Sequence, residues 1–428
     1  MENINIPKNI NAEIEILAII FNKNNAISEI ELDTNDFYKP VHQQIYTAMI
    51  ELYKEEQPIS IVSVYSKIGE FIKENGGISY LTNIQNTFKD SQIKYYAKLV
   101  KECSNKRKII KFAKEMMEKA CLGKEKVGDI LSSFSDKAMK ISDNNNKKPK
   151  HISEVIIETV GEIEEAYNAG GKITGMASGI KNLDRFLNGF QKGELVTIGA
   201  RPSMGKTAFA LEIAQGLAKE NKGLYFQFEM RDTDMVKRLI ARNTLIDGYY
   251  INRGKLNDSD WSKISHSANN LSQRNLWINE DTNLTIFEIF NIAKQQKMKQ
   301  GLDFLVIDHL LLVKKTNENE RLAIAEITRQ CKLMAKSLNI CVILLSQLSR
   351  GVELRIDKRP LLSDLKESGS IEEDSDKVIL LYRDEYYNPD SEEKGVLEAD
   401  TAKNRNGRVG ALRLAFNAKY QFISDLEI

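Results

Sequence analysis

The segment Ala200-Arg201-Pro202-Ser203-Met204-Gly205-Lys206-Thr207 constrains this chain more than any other. An apolar run, 195–198, precedes it and a helix-forming stretch, 208–219, follows. A strand, a short loop and a helix in that order gather the free amides of the helix start around one point, where an anion binds. Gly205 lets the backbone approach closely, Lys206 supplies a cation for β- and γ-phosphates, and Thr207 supplies a hydroxyl for Mg²⁺. The first motif position is Ala200, with Gly199 just before it, so the strict glycine pattern is not met.

The surroundings agree with such a loop. Further buried-strand candidates are 224–228, 304–307, 341–345 and 378–382, with helical stretches such as 321–337 between them. Alternating strands and helices imply an α/β domain with a mostly parallel sheet and helices on both faces. Phe304-Leu305-Val306-Ile307-Asp308 is an apolar strand ending in a carboxylate, the geometry that delivers Asp308 beside a phosphate-bound Mg²⁺. Leu224-Tyr225-Phe226-Gln227-Phe228-Glu229 ends the same way. Glu229 is placed either to polarise an attacking water or to stand as a solvated charge at a strand end. Gln347, after 341–345, either senses a γ-phosphate or caps its strand. Lys403 and Arg405 are two residues apart on an extended segment and so point the same way. They read as an arginine finger or as a solvated basic turn.

Residues 1–100 are helical in pattern, with Ile10, Ile14, Leu17, Ala18 and Phe21 at helical spacing, as are Ile45, Met49, Leu52 and Tyr53. They form an expected all-helical N-terminal domain. Residues 101–143 are Lys/Glu-rich, with Ile109, Ile110, Phe112, Ala113 and Met116 as an apolar stripe, and suggest a helical hairpin or one long helix. A linker with an amphipathic helix fills 144–174. It opens on Asn144-Asn145-Asn146-Lys147-Lys148-Pro149-Lys150 and ends at Gly170-Gly171. Between these breaks Ile152, Val155, Ile156, Val160, Ile163 and Tyr167 share one helix face, to be buried on the chain's own domain or on a neighbouring copy. The α/β domain takes 175–428.

Composition narrows the function. The net charge is only +1 with 28% charged residues, so any nucleic-acid contact must come from a local patch. Four cysteines without a CxxC pair, and four histidines, disfavour a structural zinc site or a disulfide scaffold. No signal peptide or membrane-length apolar run is present in the sequence, so a cytoplasmic, membrane-free protein is expected.

Taken together, Gly189-Phe190-Gln191-Lys192-Gly193-Glu194-Leu195, the loop 200–207, Phe228-Glu229-Met230 and Ser346-Gln347-Leu348-Ser349-Arg350 resemble the motor of DnaB-type replicative DNA helicases. The segments 363–372 and Lys403-Asn404-Arg405-Asn406-Gly407 are similar to that family's DNA-binding loop region and finger segment. Asn11-Ala12-Glu13, Asp36-Phe37-Tyr38, His42, Ile45-Tyr46 and Tyr80-Leu81 resemble its helical N-domain. The resemblance implies a RecA-like P-loop motor, preceded by an all-α domain and a linker helix, that uses ATP and Mg²⁺. It implies that Ala200, Arg201, Pro202, Ser203, Met204, Gly205, Lys206, Thr207 and Arg238 surround the nucleotide, with Thr207 and Asp308 on the metal. Glu229 looks like the catalytic glutamate and Gln347 like the γ-phosphate sensor, while Lys403 and Arg405 would reach an adjacent subunit's nucleotide. Lys366, Glu367 and Gly369, with Arg350 in the preceding loop, would track DNA. Implied partners are single-stranded DNA, further copies in a homo-hexamer, a primase and a helicase loader, and the implied translocation is 5′–3′. His309 and Leu311 stand where tyrosine and glutamine are usual, Lys366 where arginine is frequent, and Arg408 where proline is common, which hints at a divergent phage or plasmid form. Two rivals remain: a RecA-like recombinase or other ATPase that binds without unwinding, and a scaffold or loader. The helical N-domain with Lys403 and Arg405 argues against the first, and intact Lys206, Glu229 and Asp308 against the second.

Overall fold

The computed structural model describes residues 6–89, 92–123, 151–168, 170–315, 319–365 and 369–426, which fall in two compact units, Met1–Lys150 and His151–Ile428.

The first unit is helical: α1 (Ile10–Asn22), α2 (Pro40–Lys54), α3 (Ile61–Lys73), α4 (Gly77–Asn86) and α5 (Ile93–Leu122). The Asn9 side chain accepts the Ala12 amide at 3.1 Å and so starts α1. Its core takes Ile16, Leu17 and Ile20 from α1, Ile45 and Met49 from α2, and Leu81 and Ile84 from α4. Of the expected stripe, Leu17, Ala18, Phe21, Ile45, Met49 and Leu52 are buried in this core, while Ile14 packs at its margin and Tyr53 is exposed. Two buried carboxylates pin the helices together. Glu13 accepts the Tyr38 amide at 2.6 Å and meets His42 Nδ1 at 2.6 Å, while His42 Nε2 lies 2.8 Å from the Tyr80 hydroxyl. Asp36 accepts from Lys101 and Ser104 of α5, each at 2.6 Å. Up to Leu122 the Lys/Glu-rich segment is one long helix, and none of its residues after Ser104 is buried. The rest of the expected extension, and the linker 144–150, lie outside the described residues.

The second unit begins with α6 (Ile152–Asn168) and α7 (Lys181–Leu187). Then follow β1 (Leu195–Ala200), α8 (Lys206–Leu217), β2 (Gly223–Gln227), α9 (Asp232–Thr244), α10 (Gly248–Arg253), α11 (Asp258–Ser272) and β3 (Leu276–Asn279). After these come α12 (Ile286–Lys299), β4 (Phe304–Asp308), α13 (Glu320–Leu338), β5 (Cys341–Gln347), α14 (Gly369–Asp374) and β6 (Lys377–Tyr382). The chain closes with α15 (Asp384–Tyr387), β7 (Val396–Asn404), β8 (Gly410–Asn417) and β9 (Phe422–Asp425).

Nine strands form one sheet in the order β3-β2-β4-β5-β1-β6-β7-β8-β9. The six from β3 to β6 are parallel, and β7 to β9 continue the sheet antiparallel. Period-2 alternation sends the apolar side chains of each strand to two cores. Val196, Ile198, Val306, Ile343 and Ile379 pack against Phe209, Ile213 and Leu217 of α8. Leu195, Leu305, Val342, Leu344 and Val378 pack on the other face against Ile289 and Ala293 of α12 and Ile327 and Met334 of α13. The five predicted strands are present. Four more were not predicted as separate strands: β3, which is half-exposed and short, and β7 to β9, of which only a late strand or hairpin around 401–407 was anticipated.

Candidate nucleotide site

All six parallel strands deliver their carboxyl ends to one edge of the sheet, where ligands of open α/β sheets bind. The register places Ala200 between Gln347 and Leu381, and Asp308 beside Gln227. The loop 200–207 turns back on itself through positive φ at Ser203 (66°) and Gly205 (92°), and α8 starts at Lys206. A Cβ on Gly205 would touch the Phe416 ring at 3.4 Å in a backbone conformation that side chains resist. A cleft of about 490 Å³ opens over this edge.

Ala200, Arg201, Pro202, Ser203, Gly205, Lys206, Thr207, Glu229, Arg238 and Gln347 line the cleft. Asp308 is fully buried within electrostatic reach of Lys206. Its Oδ2 accepts from the Tyr225 hydroxyl at 3.1 Å, and its Oδ1 has no partner. Burial pushes the Asp308 carboxyl up and Lys206 opposes the rise. Burial pushes the Lys206 amine down, against Asp308 and Glu229. Arg238 is lowered by burial, likewise opposed by Asp308. Burial thus works against the charged form of all three groups, fully for Asp308 and in part for Lys206 and Arg238. The donors and cations suit a phosphate chain, and the Asp308 carboxylate, within reach of the Thr207 hydroxyl and with one oxygen unpartnered, suits a cation. Among the described residues no group of three His, Cys, Asp or Glu side chains is placed to hold a metal ion by itself. A hard cation held here would therefore complete its shell with phosphate oxygens and water, as Mg²⁺ ordinarily does.

Not every expected residue faces the cleft in the way its motif suggests. Met204 buries its side chain in the core. The Arg201 guanidinium turns to the Leu348 carbonyl (2.8 Å) and Glu353 (2.6 Å), bracing the loop against the segment after β5. Lys403 and Arg405 do point the same way, but toward the end of α14. Lys403 donates to the Glu372 carbonyl, and Arg405 to that of Glu373 at 2.6 Å. Arg350 and Gly369 are exposed, away from the cleft lining. Lys366 and Glu367 lie outside the described residues.

Other residues arrive without a motif. Arg383 follows β6 as Asp308 ends β4. It donates to the Ser203 carbonyl at 3.1 Å and lies over Phe416 at 4.3 Å. The rule that selected Asp308 and Glu229, a polar residue at the end of an apolar strand, would have found it. Phe416, Ala418 and Gln421 reach the cleft from β8 and its turn. His309, noted in the sequence only as a departure, lines the cleft as well. Its imidazole is pushed down to about 4 by burial and then by the Lys206 charge, so the ring is neutral at pH 7.

The family model of the DnaB-like helicase C terminal domain matches residues 175–425, and that of the DnaB-like helicase N terminal domain matches residues 5–102. The chain belongs to the DnaB-like helicases. Among its DnaB-like relatives, the replicative DNA helicase DnaC of Bacillus subtilis (strain 168) is 38% identical, over 98% of this chain and 95% of that protein. The replicative DNA helicase DnaB of Geobacillus stearothermophilus is 37% identical over the same shares. The solved structure of a DnaB-like replicative helicase, described with its interactions with primase, superposes with a TM-score of 0.74 at 34% identity, covering 98% of this chain and 100% of that one. The ATPase domain of G40P gives a TM-score of 0.63 at 39% identity, covering 65% of this chain and all of that domain. The expected family and fold are borne out: a helical DnaB N-domain followed by a RecA-like ATPase domain that binds nucleotide. Among the described residues no helix is long and apolar enough to cross a membrane.

Proposed function

We infer that this chain is an ATP-dependent replicative DNA helicase, a cytoplasmic homo-hexamer that encircles single-stranded DNA, moves 5′–3′ and unwinds duplex at the fork. The convergence of Lys206, Thr207, Glu229 and Gln347 on one cleft, with Asp308 buried at its edge, carries the reading. Lys206 and the loop amides would bind the phosphates, Thr207 and Asp308 would hold Mg²⁺, and Arg238, which lines the same cleft, would meet the nucleotide. Glu229 is the exposed carboxylate at the cleft, placed to orient and deprotonate water, and Gln347 faces the terminal phosphate. Magnesium, when bound, neutralises charge on the β- and γ-phosphates.

The rest of the machine is proposed from the same residues. Lys403 and Arg405 lie outside the lining of their own cleft, which supports a role in trans on a neighbouring subunit's nucleotide. Arg350, Lys366, Glu367 and Gly369 contact the DNA backbone. A few such contacts repeated around a ring suffice for a chain of net charge +1. A primase and a helicase loader are the further partners, the first suggested by the relative solved with its primase interactions.

The test is strand displacement on a forked duplex with ATP and Mg²⁺. The parent protein should unwind it. Glu229→Gln should bind nucleotide but lose turnover and unwinding by about 10²-fold or more. Turnover at the parent rate in that variant would remove Glu229 from the chemistry. ATP hydrolysis on single strands that leaves the fork intact would reduce the chain to a non-unwinding ATPase.

A further inference from the structure

His309 follows β4 directly and is almost wholly buried. Both of its ring nitrogens are engaged. The Leu311 amide donates to Nδ1 at 3.1 Å, so Nδ1 carries the lone pair and the ring proton sits on Nε2. Nε2 faces two oxygens, Gln347 Oε1 at 3.3 Å and Glu229 Oε1 at 3.9 Å. The nearer one takes the hydrogen bond. With its carbonyl oxygen held there, Gln347 is left with its NH₂ group to present to the cleft it lines.

That choice has a chemical consequence. A glutamine amide turns about a broad, nearly two-fold torsion, and its two ends match in size while differing in polarity. Phosphoryl oxygens only accept. One orientation therefore meets a terminal phosphate with a donor, and the other sets oxygen against oxygen. Gln347 at the end of a strand has no means of choosing by itself. We propose that His309 is a positioning residue whose Nε2–H holds the Gln347 amide with its donor end toward the terminal phosphate of a bound nucleoside triphosphate. This inference rests on the reading of the cleft given above and deepens it.

The test compares Kd values of the full chain for fluorescent ADP and for a non-hydrolysable ATP analogue, each with Mg²⁺. The ratio reads the terminal phosphate alone. His309→Phe keeps a flat ring without the donor and should weaken analogue binding about five- to tenfold more than ADP binding. His309→Gln, which can again offer an N–H near the Nε2 position, should restore most of the preference. His309→Phe combined with Gln347→Ala should be no worse than Gln347→Ala alone, because the two act as one unit. Equal losses for both nucleotides, or losses that add in the double variant, overturn the proposal and leave His309 a packing residue. If the phenylalanine variant does not fold, His309→Met carries the same comparison. Lys206→Ala separates the two levels of the argument. It should lose both nucleotides, and parent-like binding of both would sink the cleft reading itself, whatever His309 does.

Discussion

Asp36 shows what a single buried charge does for the helical unit. Its side chain is fully enclosed, yet Lys101, Ser104 and the Asp33 region surround it. Burial pushes its pKa up, but the hydrogen bonds from Lys101, Ser104 and the Asp33 backbone outweigh that and leave it below the ordinary value. A carboxyl depressed in the folded state stabilises fully above its unfolded pKa of about 3.9, and the stabilisation fades as pH falls through the folded value. Asp36→Asn should therefore lower stability at pH 7 by roughly 1.5–3 kcal/mol. Urea unfolding of the helical unit, followed by its own probe, should show the parent converging on the variant as pH drops below about 4. A gap that stays constant with pH would show that the ionised carboxylate is not what matters. The same residue illustrates how legible single sites were. Asp36 stood out in the sequence only through its resemblance to a family pattern, because its side-chain partners lie some 65 to 72 positions away on α5. Lys206, by contrast, announced itself through its immediate neighbours.

At the scale of elements, the parallel strands were readable because each is buried on both faces and so appears as an unbroken apolar run, as in Val378-Ile379-Leu380-Leu381. β3 has only partly buried residues and pairs with β2 alone, so no run marks it. In β7 and β8 buried positions are mixed with half-exposed ones, and Phe416 gives no hint in linear order that it will reach a phosphate loop more than two hundred residues earlier. α6 is the element whose pattern exceeds its surroundings. Ile152, Ile156, Val160 and Ile163 all remain exposed, and Gly170 and Gly171 follow with positive φ. Leaving such side chains in water costs roughly 1.5–3 kcal/mol each relative to full burial. Docking on a neighbouring copy's motor would remove that cost. If the chain forms the proposed hexamer through this helix, changing Ile156 and Val160 to Asp should break that assembly and abolish ATPase together, read as native mass and steady-state turnover. A variant that stays hexameric and active would place this helix against its own subunit.

For the whole molecule, the proposal that Lys403 and Arg405 serve a neighbour makes each active site a shared object. Mixing Arg405→Ala chains with Lys206→Ala chains, each inactive alone, should restore part of the ATPase, since some interfaces then join two intact halves. No recovery over either pure sample would assign Arg405 to its own subunit. One further consequence follows from the strand order. β1, which carries the phosphate loop, is flanked by β5 and β6, both made far later in the chain. On a ribosome adding about 5–20 residues per second, β1 waits on the order of ten seconds for its two neighbours. The helical unit, built from contacts within the first third of the chain, has by then left the exit tunnel and is able to fold. Vectorial synthesis thus completes the helical unit before the α/β unit, and a nascent chain has no complete cleft with which to hold nucleotide until Gln421 has emerged.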